Sequence, residues 1–371
     1  MRIGPDRLAA LGVVVALSLA GCSSSSEAGG TSEATDTAVS APAAASEVAS
    51  ASAVASAPAA ASASAAAPGE LDAAQYSLAG KTIGIAVVGT QHFWDREAFQ
   101  GAVDEIERLG GTALTTDGGR DNTVHAQNHD VFLSSKVDGV ITILGDAAVD
   151  PKIDALKAAG IPVFGVDHAS KSDVNNSHSD NIAAGTYAGE MMVEALGGKG
   201  KVAVFNAFSE ALSFCGERYE SWKKVVTDAG IEIIEPELAE EFANAPEDAR
   251  QQTLTLLQKY PVGTINAIHV ACWDQPAIGV VQAIEDAGRT DVIVSAIDAG
   301  PDTLEIMMEP NSPFLINVAQ QPRLIATTAA DNVAKYLHGE TVPPDSQLPV
   351  FPVMGPEQAQ QIYTQLGYDK Q

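Results

Sequence analysis

Two successive series of short, predominantly apolar runs constrain this chain more than any other feature. In the first, "KTIGIAVV" (81–88), "DGVITI" (138–143) and "IPVFGV" (161–166) precede helical patterns at 95–109, 150–159 and 182–196. In the second, "KVAVFN" (201–206) and the stretches 231–234, 265–271 and 292–297 alternate with helical patterns at 217–229, 247–259 and 276–287. A strand with one face in water alternates apolar and polar residues. Runs of Val and Ile without that alternation need cover on both faces. The pattern predicts an α/β fold of doubly wound parallel sheets, and because the rhythm starts twice it predicts two such lobes. Glycines mark the helix ends, as in "LGG" (109–111), "AAG" (158–160) and "GGKG" (197–200).

In open parallel sheets, ligands lie beyond the carboxyl ends of the strands. The residues expected there are Gln91, Phe93 and Trp94; Gly145 and Asp146; Asp167 and His168; then Asn206, Trp273, Asp274 and Asp298. The set is rich in rings and side-chain oxygens and poor in cations. A sugar or polyol suits it, since carboxylates and amides bond vicinal hydroxyls while rings cover C–H faces. "VACWDQPA" (270–277) places one of only three tryptophans beside a carboxylate at a strand lip. Trp273 is there either a core aromatic or a wall of the site.

The chain of 371 residues begins with Arg2 and Arg7, an apolar stretch at 8–20 and small residues before Cys22, a secretory signal too short to span a bilayer permanently. Its ending, "LAGC" (19–22), resembles the bacterial lipoprotein cleavage box, which implies a signal peptide over 1–21 and a lipid on Cys22. An ordinary cleaved signal is the alternative. Residues 22–75 are mostly Ser, Ala, Thr, Gly, Pro and Glu and read as a disordered tether. The remainder, 76–371, suits two lobes of ordinary size. A net charge of −27 argues against nucleic acid and against an anionic membrane surface as partners.

Several longer segments together resemble the ribose- and galactose-type periplasmic sugar-binding proteins of ABC importers, which have the type 1 periplasmic-binding-protein fold. They are "GTQHFWDREAFQGAVDEIERLGG", "LKAAGIPVFGVDHA", "SDNIAAGTYAGEMMVEAL", "ACWDQPAIGVVQAIEDAGR", "VIVSAIDAGPDTLE" and "VAQQPRLIATTAADNVAKYLHGE". The resemblance implies two lobes joined by a three-strand hinge, one at about 76–180 and 322–346, the other at about 181–321 and 347–371. It implies capture of a neutral monosaccharide or sugar alcohol by a monomer that delivers it to an ABC transporter permease, with no cofactor, no resident metal and no enzymatic step. By position, Phe93 and Trp94 match an aromatic pair that sandwiches the sugar, and Gln91 matches the polar contact before them. Asp167 matches a hydroxyl-binding carboxylate, Ser179 lies at the crossing between lobes, and Asp298 and Gln320 match polar contacts of the second lobe and hinge. The departures are His168 and Gly216 where arginines are frequent, with Arg218 beside the latter, Asn244 near a usual aromatic, and Trp273 in place of an asparagine.

Other readings find less in the sequence. Nucleophile-elbow, Walker and dinucleotide glycine motifs are missing. His125 and His129 fall four apart on a helical stretch and could share a metal, but no third ligand is nearby in sequence; His92, His168 and His178 could converge at the first lobe's strand ends, which leaves a zinc site as a minor alternative. A sugar-sensing repressor of the same fold would carry a basic headpiece where this chain has a signal and an acidic tether. A lipoprotein presenting its ligand to a membrane receptor stays open. Cys215 and Cys272 follow strands expected to be neighbours. They are either a disulfide, favoured outside the cytoplasm, or two small buried residues.

Overall fold

The computed structural model describes residues 69–370; the signal segment, Cys22 and the stretch up to 68 lie outside them. The first sheet holds β1 (Thr82–Val87), β2 (Thr112–Asp117), β3 (Gly139–Ile143), β4 (Val163–Val166), β5 (Asn175–Ser179) and, from far along the chain, β11 (Asp345–Leu348). Its order is β11-β5-β4-β3-β1-β2, parallel throughout. The second sheet holds β6 (Gly200–Phe205), β7 (Ile231–Ile233), β8 (Ala267–Val270), β9 (Ile293–Ser295), β10 (Phe314–Ala319) and β12 (Phe351–Met354). Its order is β12-β10-β9-β8-β6-β7, and only β12 runs antiparallel.

The reason for the unbroken apolar runs is visible in β1. Ile83, Ile85 and Val87 enter the core under α1 (Phe93–Arg108) and α9 (Pro322–Leu337), while Ala86 enters a separate core with Phe132 of α2 (Asn122–Ser135) and Ile153 of α3 (Asp150–Ala158). In β6, Val202 and Val204 face α4 (Asn181–Leu196) and α5 (Ser213–Asp228). Ala203 and Phe205 face the opposite layer, with α6 (Ala245–Lys259), α7 (Gln275–Asp286), α8 (Pro301–Met308) and α10 (Gly355–Gln365). Helix starts are set locally. Asp121 accepts from the backbone N–H groups of Thr123 and Val124, Asp180 accepts from that of Ala183, and proline occupies the first turn of α7, α8 and α9.

Two boundaries differ from the sequence reading. Residues 69–75, assigned to the tether, pack on the first lobe. Leu71 joins its core, and Arg108 both donates to the Leu71 carbonyl (2.9 Å) and pairs with Glu70. The last crossing comes after Leu348, not at 346, because Gln347 and Leu348 still pair with His178 and Ser179. The chain thus passes between the sheets after β5, β10 and β11.

Candidate ligand-binding site

The carboxyl ends of both sheets face one cleft, a cavity of about 330 Å³. Three of its walls turn in on unusual backbone. Leu144 after β3 and Asp167 after β4 are left-handed (φ 56° and 47°), and Asp298 after β9 has φ 128°. Such conformations cost a non-glycine residue free energy and cluster where side-chain direction matters.

Six of the residues expected at the strand ends line this cavity: Trp94, Gly145, Asp146, Asp167, Trp273 and Asp298. Asp167 is 2 % exposed, and neither of its carboxylate oxygens has a hydrogen-bond partner. Burial pushes its pKa up, against the pull of Arg218. Burial raises Asp298 well above the usual carboxylate range too, again opposed by Arg218. Trp273 donates its indole N–H to buried Glu240 (3.0 Å) and meets the rings of His92, Phe208 and Phe242 at 5.3, 6.2 and 5.7 Å. The tryptophan at the strand lip is a wall fixed by a carboxylate behind it, and its neighbour Asp274 is turned to structural use. Asp274 accepts from the backbone N–H of Gly300 (2.9 Å), the Thr303 hydroxyl (2.6 Å) and His92 (3.1 Å).

The other expected residues do not line it. Phe93 packs into the second lobe's core, edge-on to Tyr368 at 5.2 Å, so it ties the lobes together instead of covering a ligand. Gln320 is fully buried behind the cleft. Its carbonyl oxygen accepts from Trp94 (3.2 Å), Ser179 (2.5 Å) and Arg218 (3.1 Å), and its amide donates to Asp298. Ser179 and Gln320 therefore join the hinge to the site as positioning groups. His168 turns back to bond the Gly145 carbonyl (3.1 Å). Gln91 and Asn244 are exposed and stand outside the cavity, and the aromatic expected near Asn244 is Phe242, two residues earlier.

The expectation of few cations is also corrected. Arg218, 2 % exposed, donates to Asn181 (2.8 Å) and the Cys272 carbonyl (2.6 Å) and stands 3.7 Å from Asp167 and 3.5 Å from Asp298. Arg120 reaches across from the first lobe to the Phe242 carbonyl (3.1 Å), over the Phe242 and Trp273 rings. His92, Asp95, Asn122, Phe208, Leu212 and Phe214 complete the lining that position-by-position reasoning missed.

His92, Asp274 and Asp298 each offer an atom within 4.8 Å of the others, a set that could hold a cation. The donors fit a proton better. Burial works against charge on His92, but its bonds to Asp274 and Asp95 outweigh that and raise its pKa to about 10. Asp274 has both oxygens engaged already. The pair His125 and His129 has other work as well: His125 contacts the Leu144 carbonyl (3.1 Å), and His129 the Thr142 hydroxyl (2.9 Å). Burial lowers both to about 4.

Cys215 at the start of α5 is joined to Cys272 beyond β8, as the adjacency of β6 and β8 allows. The bridge closes a 57-residue separation at the base of Trp273. Chain-entropy reasoning puts its contribution at about 2–4 kcal/mol. Denatured, unreduced protein is expected to titrate no thiol from this pair, and reduction to lower the unfolding free energy measured in urea by that amount. Two reactive thiols, or a melt indifferent to reductant, would count against it.

Comparison with known proteins follows from this geometry. Residues 83–341 match the model of the periplasmic binding protein domain. The chain belongs to that family. A solute-binding protein of an ABC transporter from Agrobacterium vitis, solved with bound allitol, is 35 % identical, with a TM-score of 0.75 over 78 % of this chain and all of that one. An ABC sugar transporter subunit from Rhodobacter sphaeroides is 39 % identical, with a TM-score of 0.73 over 75 % of this chain and 99 % of that one. Among curated relatives, the D-apiose import binding protein of Paraburkholderia graminis is 29 % identical across 56 % of this chain and 66 % of its own length. The ribose import binding protein of Escherichia coli is 24 % identical across 72 % and 88 %. The family consists of extracytoplasmic solute-binding components of sugar transporters, not enzymes, and the two-lobed α/β fold is theirs.

Proposed function

We propose that this protein captures a neutral monosaccharide or sugar alcohol outside the cytoplasm, as a lipid-anchored monomer, and hands it to an ABC transporter permease after its lobes close. The observation that carries the reading is Asp167, a buried carboxylate with two unpartnered oxygens facing a cavity walled by Trp94 and Trp273. Vicinal hydroxyls satisfy such oxygens, and the rings meet C–H faces. Arg218 offsets one of the two charges of Asp167 and Asp298, and burial pushes both carboxyls toward protonation, which favours an uncharged ligand. The names of the relatives, with allitol, apiose and ribose among them, support the same class.

Closure is supported by bonds that cross from lobe to lobe, His92 to Asp274 and Arg120 to Phe242. A thermal-shift screen over pentoses, hexoses, polyols, nucleosides and amino acids is expected to find stabilisation by a polyol or neutral sugar. Small-angle scattering should find a smaller envelope with that ligand than without it. Stabilisation by amino acids or metals alone would overturn the reading.

A further inference from the structure

This inference rests on the polyhydroxy reading above and narrows the ligand. The cleft has two unlike ends. Toward the hinge stand Arg218, Asp167 and Asp298, backed by Gln320. Away from them the second lobe presents Phe208 and Phe242, in contact with each other at 5.9 Å and both with Trp273. Trp273 is the joint between the two ends, since its other neighbour is His92 of the charged group. Leu212 extends the same wall; the first lobe adds Val88 and Leu144 together with Asp95, Asn122 and Asp146, and Arg120 lies over the outer side of the Phe242 and Trp273 rings.

The C–H face of one small sugar needs one or two rings. Three contiguous rings and a leucine are more than such a ligand covers. Phe208 and Phe242 are only half-buried, because the cavity itself lies in front of them. At about 330 Å³ the cavity also reaches the ~300–1,000 Å³ typical of sites for drug-sized ligands.

We infer that the ligand is a polyhydroxy compound bearing a flat apolar substituent, its hydroxyls on Asp167, Asp298 and Arg218 and its flat tail against Phe208, Phe242 and Trp273. An aryl ether or glycoside and a nucleoside share that chemistry and are separated by the choice of probes.

The test is titration calorimetry of the full chain with matched pairs: xylitol and its 1-O-benzyl ether, methyl and phenyl β-D-xylopyranoside, and ribose and adenosine. In at least one pair the tailed member is expected to bind about tenfold or more tightly, from the apolar area it buries. Which pair responds tells an aryl tail from a nucleobase. Phe208→Ser should bring that ratio toward one, and Leu212→Ser serves the same purpose if the first variant folds poorly. Untailed members binding as well as or better than their partners in every pair would overturn the inference while leaving the polyhydroxy reading intact. Binding by no probe at all would overturn that reading, and the inference with it.

Discussion

Arg218→Leu is expected to weaken ligand binding about 100-fold and to lower stability by about 3–5 kcal/mol, the cost of leaving buried charges unpaired. Among the described residues the guanidinium is the one group that reaches both cleft carboxylates, the Asn181 side chain at the start of α4, the Cys272 carbonyl and the Gln320 hub. Without it, Asp167 and Asp298, which burial already pushes toward protonation, lose their main counter-charge. Adding Asp298→Asn to the leucine variant should recover part of the stability but not the affinity. Arg218→Lys should fall between, since an ammonium cannot span partners that a planar fork reaches together. Equilibrium unfolding in urea and calorimetric titration read the two effects separately. A leucine variant that melts within about 1 kcal/mol of wild type and binds normally would remove Arg218 from the site, because a loss that small is what an exposed position gives.

The second large effect is on pH dependence. In this structure His92 lies between Asp95 of its own helix and Asp274 and Asp298 of the other lobe, at 3.7, 3.1 and 3.8 Å, and its pKa is raised to about 10; on the closure proposed above, these are contacts of the closed state. When the lobes part, the ring should return toward about 6.5. Below that value it is charged in both states and its contribution to closure is fully present. Above it, closing must draw in a proton, so affinity is lost progressively as pH rises through the closed-state value. The expected loss is at most about tenfold per pH unit between roughly pH 7 and 9. His92→Gln should therefore remove most of that slope. Titrations in buffers of different ionisation enthalpy should detect the proton taken up. Equal affinity at pH 6 and pH 9, or an undiminished slope in the glutamine variant, would refute this coupling.

The apolar runs were legible because both faces of β1, β3, β6 and β8 are largely buried, which favours Val, Ile, Ala and Phe there, with Thr142 and His269 admitted through hydrogen bonds to His129 and Ser295. Strand β5, "NNSHS", was invisible to that criterion. Its Asn175 and Ser177 are buried through side-chain bonds to each other, and Asn175 also bonds Ser346 and Asn332, a network that no local pattern announces. Edge strand β2, "TALTTD", was missed for the opposite reason: it is half exposed and mixes polar with apolar residues.

By itself, the sequence determined the two-lobed parallel architecture, the strand ends as the place of the site, and the rings and carboxylates Trp94, Asp167, Trp273 and Asp298 that line it. These follow from periodicity and from the general position of ligands in open sheets. Only the tertiary structure decided which neighbour of a strand-end residue turns inward. Phe93 and Trp94 are adjacent on one helix turn and point to different cores, and His92 and Arg218 owe their roles to carboxylates that are 182 and 80 positions away along the chain. Such roles depend on partners from the opposite lobe or the neighbouring strand, which a linear reading cannot bring together.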